Sequence, residues 1–217
     1  MFKRWLKPIT FVLGLAPFSW CLYEVFLLFQ GQPHSLGADP GKVIVHFNGA
    51  WALRFLIMTL MVTPVRQLFS FPLVMRIRRM LGLFTFFYAS LHVASYAVFL
   101  LELQFADIVA DVIKRPYITV GFAAFSLLIP LAVTSNRWMI GRLKQRWKTL
   151  HKLVYPISIL VIVHLTWLTK DDYQEVFFYG LAIAVLLGIR VYRSGWLAHN
   201  SLIPMRRQTV IQNIQKF

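Results

Sequence analysis

Three of the six histidines lie inside strongly apolar stretches of the sequence, where imidazole is uncommon. They are His92 in "RRMLGLFTFFYASLHVASY", and His151 and His164 in "WKTLHKLVYPISILVIVH". Ionisable side chains within a membrane span are costly and usually mark a functional site. Imidazole nitrogens bind haem iron and other transition-metal ions. The type and setting of these residues therefore favour haem or metal binding inside a bilayer.

Depth along the helices separates these histidines into a pair and a single residue. With the rise of an α-helix, His92 lies about 13 residues, or roughly 20 Å, from the start of its span, and His164 about 14 residues, or roughly 21 Å. Both positions are past the middle of a hydrocarbon core of ~30 Å. Two imidazoles at one level on different helices are what a haem clamped from both faces requires. We therefore predict that His92 and His164 are paired haem ligands.

His151 cannot bind the same iron, because it lies about 20 Å from His164 along one helix. Pro156, which stands between the two, is expected to bend that helix. The corresponding position of the third helix holds Arg78 or Arg79, and guanidinium does not coordinate iron. Two readings stay open. With two haems His151 is a ligand whose partner the sequence does not reveal, and with one haem it belongs to an electron-donor site.

A plainer alternative is that each of the three histidines makes a hydrogen bond between helices, as polar side chains in membrane bundles often do. The matched depth of two of them argues against it. The other histidines, His34, His46 and His199, fall in loops or at a membrane edge and are expected to be solvated or interfacial.

Three arginines are candidate partners for acidic cofactor groups. Arg54, in "NGAWALRFL", is predicted close to the level of the histidine pair, where it could bind a haem propionate. Alternatively it extends to the interface or pairs with Glu24. Arg78 and Arg79 could bind propionates or a flavin phosphate at the inner side. Their alternative role is to enforce membrane topology.

The elements that must hold these residues are transmembrane helices. Of the 217 residues 58% are hydrophobic and only 14% charged, and the mean hydropathy is +0.62. A soluble domain has roughly 25% charged residues. Stretches of the length of a bilayer crossing predict an all-α integral membrane protein with a six-transmembrane-helix bundle. The spans are predicted near 8–29, 47–66, 80–101, 116–134, 150–169 and 174–193.

The ends of the chain follow from these spans. The first apolar stretch is about a full bilayer crossing long, so we expect a retained helix rather than a cleaved signal peptide. Residues 1–7 are predicted as a cytoplasmic N-terminus, 8–193 as the haem-binding transmembrane domain and 194–217 as a cytoplasmic tail. Residues 101–116 have the apolar spacing of an amphipathic helix on the outer interface, either a tether or a docking surface.

Charge sets the orientation. All basic residues within 1–7, 66–79, 137–152 and 190–217 fall on one predicted side, whereas all eight acidic residues lie elsewhere. Loops rich in Lys and Arg stay in the cytoplasm, so both termini are predicted to be cytoplasmic. The formal net charge of +15 is then a topology signal, helped by anionic lipid, and not a nucleic-acid footprint.

Several classes of protein are excluded. Cys21 is the only cysteine, which rules out an internal disulfide, a CxxC redox pair and a multi-cysteine metal site. The glycine-rich nucleotide motifs and the hydrolase motifs GxSxG and HExxH are absent.

A set of ordered motifs resembles one bacterial family. "WALRFLIMTLMVTPVR", "RRMLGLFTFFYASLHVASY", "RPYITVG", "LAVTS" and "WKTLHKLVYPISILVIVH" look like the YedZ/MsrQ family of the ferric-reductase-like transmembrane superfamily, over about residues 5–195. The resemblance implies a six-helix haem b protein of the bacterial inner membrane, with His92, His151 and His164 as the haem-linked residues. It also implies FMN, for which the sequence gives no site.

The same resemblance implies a non-catalytic electron-transfer role. Family members deliver electrons from the quinone pool or a flavin reductase to a periplasmic molybdopterin subunit, MsrP, which reduces methionine sulfoxide in oxidised proteins. Eukaryotic ferric reductases and NADPH oxidases of the wider superfamily look similar in the haem core but carry two histidines on each of two helices and a cytoplasmic flavin and nicotinamide domain. This sequence has one histidine on its third predicted helix and no such domain, so it is not expected to oxidise NADPH unaided. Two rival interpretations remain, a self-contained ferric or cupric reductase and a metal transporter using buried histidines.

Overall fold

Six long helices, each apolar enough to cross a membrane, form the protein. The computed structural model describes residues 2–169 and 173–201, and side chains within 4–169 and 173–192. That part of the chain contains helices and turns and no strand. The spans are Arg4–Phe29, Pro40–Leu68, Arg78–Leu100, Pro116–Val133, Gln145–Leu168 and Tyr173–Tyr192. The predicted all-α bundle of six transmembrane helices is therefore confirmed.

Nine α-helices make up these spans and their connections within the described residues. They are α1 Phe2–Phe29, α2 Pro40–Leu68, α3 Arg78–Ser95, α4 Phe105–Lys114, α5 Pro116–Val133, α6 Arg137–Leu143, α7 Gln145–Leu150, α8 Val154–Leu168 and α9 Tyr173–Ser201. A 3₁₀ helix, Pro72–Arg76, precedes α3, and a π-helical turn, Tyr96–Leu100, extends it.

The second span starts earlier than the sequence predicted. α2 begins at Pro40, because the side chain of Asp39 accepts a hydrogen bond from the backbone N–H of Lys42 at 3.1 Å and caps the helix. Arg54 then lies about 14 residues, or roughly 21 Å, from that end of α2, deeper than the roughly 10 Å below the outer surface that a span starting near residue 47 predicts. Helix α1 begins at Phe2, inside the predicted N-terminal segment. The predicted domain boundaries remain predictions, and residues 202–217 of the tail lie outside the described residues.

The bend predicted at Pro156 is instead a break just before it. Residues His151–Leu153 form a 3₁₀ turn between α7 and α8, so α8 starts afresh at Val154. Pro156 occupies the first turn of α8, where a missing N–H leaves no hydrogen bond unmade. The side chains of His151 and His164 consequently belong to different helical segments.

Helix α2 is central, packing along α3 and also against α9, whereas α5 packs mainly against α8. On the other side of α3, the Tyr88 hydroxyl donates a hydrogen bond to the Gly14 carbonyl at 2.8 Å and accepts one from the Phe18 N–H at 3.0 Å. Tyr88 also stacks on Phe55, with ring centroids 5.2 Å apart. Its hydroxyl thus joins α1 to α3.

Helix α4 is the amphipathic segment predicted at the outer interface. Phe105, Val109 and Ile113 are exposed along one side, while Asp111 is turned towards the bundle. We call the end of the bundle where α2 and α5 begin the outer end, and the opposite end, where α3 begins, the inner end.

Candidate functional site

The imidazoles of His92 and His164 face one another at the outer end of the bundle. His92 belongs to α3 and His164 to α8, and their ring centroids are 6.3 Å apart with the planes inclined at 81°. Two bonds of about 2 Å from imidazole nitrogens to one shared metal would separate ring centroids by about 6 Å. The pair predicted from depth is therefore brought together at a spacing that suits a single bound iron.

Backbone carbonyls fix which nitrogen of each ring is free. Nδ1 of His92 is 2.8 Å from the carbonyl oxygen of Val45, and Nδ1 of His164 is 2.7 Å from that of Tyr117. A carbonyl only accepts hydrogen bonds, so each Nδ1 carries the proton and each Nε2 keeps its lone pair. Metal-binding histidines are commonly oriented in this way. Within the described residues neither Nε2 has a hydrogen-bond partner.

Two glycines let the rings lie directly against the neighbouring helices. A Cβ added to Gly49 of α2 would be 2.9 Å from Nδ1 of His92, and one added to Gly121 of α5 would be 2.8 Å from Nδ1 of His164. Any side chain at either position would push the imidazole away from its carbonyl. Gly49 and Gly121 thus shape the surroundings of both rings, and neither was among the residues predicted from the sequence.

The two halves of the site are built alike. Each half consists of a helix running inward, α2 or α5, and the helix that packs against it, α3 or α8. The first helix provides a carbonyl and, one turn later, a glycine. The second provides a histidine 47 residues after that carbonyl in the sequence. The residues are Val45, Gly49 and His92 in one half, and Tyr117, Gly121 and His164 in the other. This shared spacing was the sequence signal that could have identified the glycines.

The donor set fits haem better than a bare metal ion. Among the described residues no group of three or more His, Cys, Asp or Glu side chains could hold a metal. A transition-metal ion bound by protein alone normally needs three or four ligands. Haem brings four nitrogens of its own and needs only axial ligands, which two opposed imidazoles can supply. His92 and His164 would hold it, with Nε2 as the ligand atom.

His151 lies apart from this pair, at the inner end. Its ring stacks on Trp147 with centroids 3.9 Å apart, and its Nδ1 is 3.1 Å from the Trp147 carbonyl oxygen. Its Nε2 is 3.4 Å from the hydroxyl of Ser135. Among the described residues, the contacts of the His151 ring are with Trp147 and Ser135 and include no second imidazole. Its role as a haem ligand stays a prediction.

Arg54 is held by aromatic residues and not by Glu24. Its Nε donates to the Tyr179 hydroxyl at 3.2 Å, and its guanidinium lies 5.0 Å from the centroid of the Trp51 ring. The Glu24 carboxylate instead accepts a hydrogen bond from the backbone N–H of Ser35 at 2.6 Å. The alternative pairing of Arg54 with Glu24 is therefore absent, and its contact with a propionate stays a prediction.

Of the two inner arginines, Arg78 is half-buried and Arg79 is exposed. Arg78 lies within electrostatic reach of both Arg190 and His151. Arg190 of α9, which the sequence reasoning assigned only to topology, donates to the Leu60 carbonyl at 2.7 Å and lies over the Tyr155 ring. Its Nε and Nη1 are buried without a hydrogen-bond partner among the described residues. Burying unpaired cationic donors is costly, so this place suits an anionic group.

Comparisons with known proteins identify the family to which the chain is similar. The model of the family described as ferric reductase like transmembrane component matches residues 48–162, a range that contains His92 and His151 and ends two residues before His164. A protein of Xanthomonas euvesicatoria pv. vesicatoria, named protein-methionine-sulfoxide reductase heme-binding subunit MsrQ, is 47% identical over 187 residues, 86% of each chain. The protein of that name from Polaromonas naphthalenivorans is 43% identical over 198 residues, 88% of each chain.

Proposed function

The chain belongs to the ferric reductase like transmembrane component family and, within it, to the MsrQ heme-binding subunits, and we propose that it is a membrane electron-transfer subunit that binds haem b. The observation that carries the proposal is the facing pair His92 and His164, each with Nδ1 bonded to a carbonyl and Nε2 free. Haem bound there would supply one-electron transfer. The chain's part is to orient the two imidazoles and keep water from the iron.

We assign the redox partners from the family. The electron acceptor is the periplasmic molybdopterin subunit MsrP, in which methionine sulfoxide is reduced, and the donor is the quinone pool or a cytoplasmic flavin reductase. The protein is then a non-catalytic member of an oxidoreductase complex in the bacterial inner membrane. The distribution of basic residues supports this orientation, with both termini in the cytoplasm and the histidine pair on the periplasmic side.

The inner end is the place proposed for electron entry. Arg78 and Arg190 have no acidic partner among the described residues that would neutralise them, and His151 lies within reach of Arg78. A flavin phosphate or the propionate of a second haem would provide that negative charge. Arg79 is exposed, so Arg190 and not Arg79 is the second arginine proposed to bind this group.

The inner site is tested by the variants Arg78→Gln and Arg190→Gln, measuring flavin and haem in the purified protein. Each is expected to reduce the retained inner cofactor while the haem at the outer end is unchanged. Arg66→Gln, which removes an exposed inner arginine, is the matched control for charge. Equal cofactor content in all three variants would refute the inner site.

The haem proposal is tested by the reduced-minus-oxidised visible spectrum of the purified protein, with haem counted per chain. A sharp low-spin b-type band is expected, and one haem per chain would place His151 in the donor site. The absence of that band would refute the proposal that the protein binds haem b. Reduction of added ferric or cupric chelate without a partner protein would favour a self-contained reductase, and metal uptake into vesicles would favour a transporter.

A further inference from the structure

A hydrogen-bonded chain at the outer end connects α4 to both halves of the histidine site. The Tyr96 hydroxyl donates to Oδ2 of Asp111 at 2.5 Å, and Oδ1 of Asp111 is 3.2 Å from Nε of Arg115. Nη1 of Arg115 is 3.4 Å from the Tyr117 hydroxyl. The Asp111 side chain is only 14% exposed, whereas that of Arg115 is 53% exposed. Asp111 is therefore the enclosed centre of this chain.

One arm reaches the carbonyl that orients His164. Tyr117 lies in the first turn of α5, which starts at Pro116 and has no capping side chain. A helix start without a cap is held only by its neighbours. Here α4 provides the contacts, through the pair Asp111–Arg115 and through a hydrogen bond from the Thr119 hydroxyl to the Val112 carbonyl at 2.5 Å. The position of the Tyr117 carbonyl thus depends on α4.

The other arm reaches the helix that carries His92. Tyr96 is one turn beyond His92, and its backbone N–H bonds to the His92 carbonyl. At Tyr96 the α-helix changes into the π-helical turn Tyr96–Leu100, a backbone form that is rare and occurs mostly as single turns. The Tyr96–Asp111 hydrogen bond secures this end of α3.

We propose that Asp111 is a positioning residue for the haem ligands, holding the Tyr117 carbonyl against Nδ1 of His164 and the end of α3 beyond His92. The proposal rests on the proposed function, since it needs haem between the two histidines. A hydrogen bond from Nδ1–H to a well-placed carbonyl makes the imidazole a stronger donor. A stronger donor stabilises ferric iron, so Asp111 keeps the haem reduction potential low.

The test is a redox titration of the purified haem-loaded protein for wild type, Asp111→Asn and Asp107→Asn. Both variants remove one negative charge from α4, but the carboxylate of Asp107 is exposed and has no described side-chain contact. Asp107→Asn therefore reports the effect of charge alone. We expect Asp111→Asn to raise the haem potential clearly more than Asp107→Asn and to change the electron paramagnetic resonance g-values, which Asp107→Asn leaves at those of wild type.

A second variant, Tyr96→Phe, leaves the charge unchanged and decides the matter if Asp111→Asn is recovered without haem. It is expected to raise the potential as well, because Asp111 loses one of its two anchors, while the exposed Tyr23→Phe has no effect. The positioning role is wrong if Tyr96→Phe leaves the haem potential and the g-values unchanged. It is also wrong if the haem potential shifts no more in Asp111→Asn than in Asp107→Asn. In both cases the haem proposal stands. A wild-type protein without low-spin haem would overturn both.

Discussion

The imidazole planes of His92 and His164 are inclined at 81°, although the two residues are held by the same kind of contact. Each ring takes its direction from a single carbonyl, that of Val45 for His92 and that of Tyr117 for His164. Because α2 and α5 lie on different sides of the site, the two carbonyls turn the rings in different directions. Ligand orientation is thus set by how the helices pack.

This angle predicts the electronic character of the ferric haem. Nearly perpendicular axial imidazoles leave two of the iron d orbitals close in energy, which gives a highly anisotropic low-spin signal in electron paramagnetic resonance. We expect that signal from the oxidised protein at liquid-helium temperature. The ordinary rhombic low-spin spectrum of parallel imidazole planes would show that the rings do not keep this angle when haem is bound.

Removing either facing histidine is expected to abolish the low-spin haem. His92→Ala and His164→Ala each delete one axial ligand, so the visible spectrum should lose its sharp reduced band and haem content should fall severalfold. His46→Ala is the control, because His46 is an exposed histidine on α2 close to the site. A band that survives in the double variant His92→Ala/His164→Ala would disprove the ligand assignment.

Alanine at Gly49 or Gly121 is expected to impair haem binding without removing any functional group. The new Cβ would lie 2.9 Å from Nδ1 of His92 or 2.8 Å from Nδ1 of His164, closer than real Cβ contacts allow. Each ring must then shift off its carbonyl, so haem retention in detergent should fall. Alanine at Gly188, where nothing lies within 4 Å, should be neutral or stabilise its helix by up to about 1 kcal/mol. Normal haem content in both variants would show that haem binding does not need the close packing of the two rings against Gly49 and Gly121.

The hydroxyl of Tyr88 is expected to stabilise the packing of α1 on α3. Tyr88→Phe removes the hydrogen bonds to the Gly14 carbonyl and from the Phe18 N–H, and should lower the free energy of unfolding in detergent by about 1–2 kcal/mol. The haem spectrum should stay that of wild type, because the Tyr88 hydroxyl bonds to the backbone of α1 and not to either histidine. Tyr23→Phe, at an exposed position of α1, is the control. Equal unfolding free energies for the two variants would show that the bridge contributes nothing.

Much of the fold was predictable because a membrane-spanning helix can be recognised from the composition of its own segment. A crossing needs about 20 apolar residues and each backbone group must bond within its own segment, so the six spans and their helical character follow from composition. Their ends were less predictable. The start of α2 at Pro40 depends on the cap by Asp39, and the break at His151–Leu153 arises before the proline that was expected to cause it.

By itself, the sequence determined that six helices cross the membrane, that three histidines lie within them, and that two of these lie at one depth. Helical rise is constant, so depth can be counted along the chain. Only the tertiary structure decided what surrounds them. The carbonyls of Val45 and Tyr117, the absent side chains of Gly49 and Gly121, and the unpaired nitrogens of Arg190 matter through contacts between helices far apart in sequence. These groups are brought together by the rotation and packing of the helices. No local sequence pattern encodes that packing.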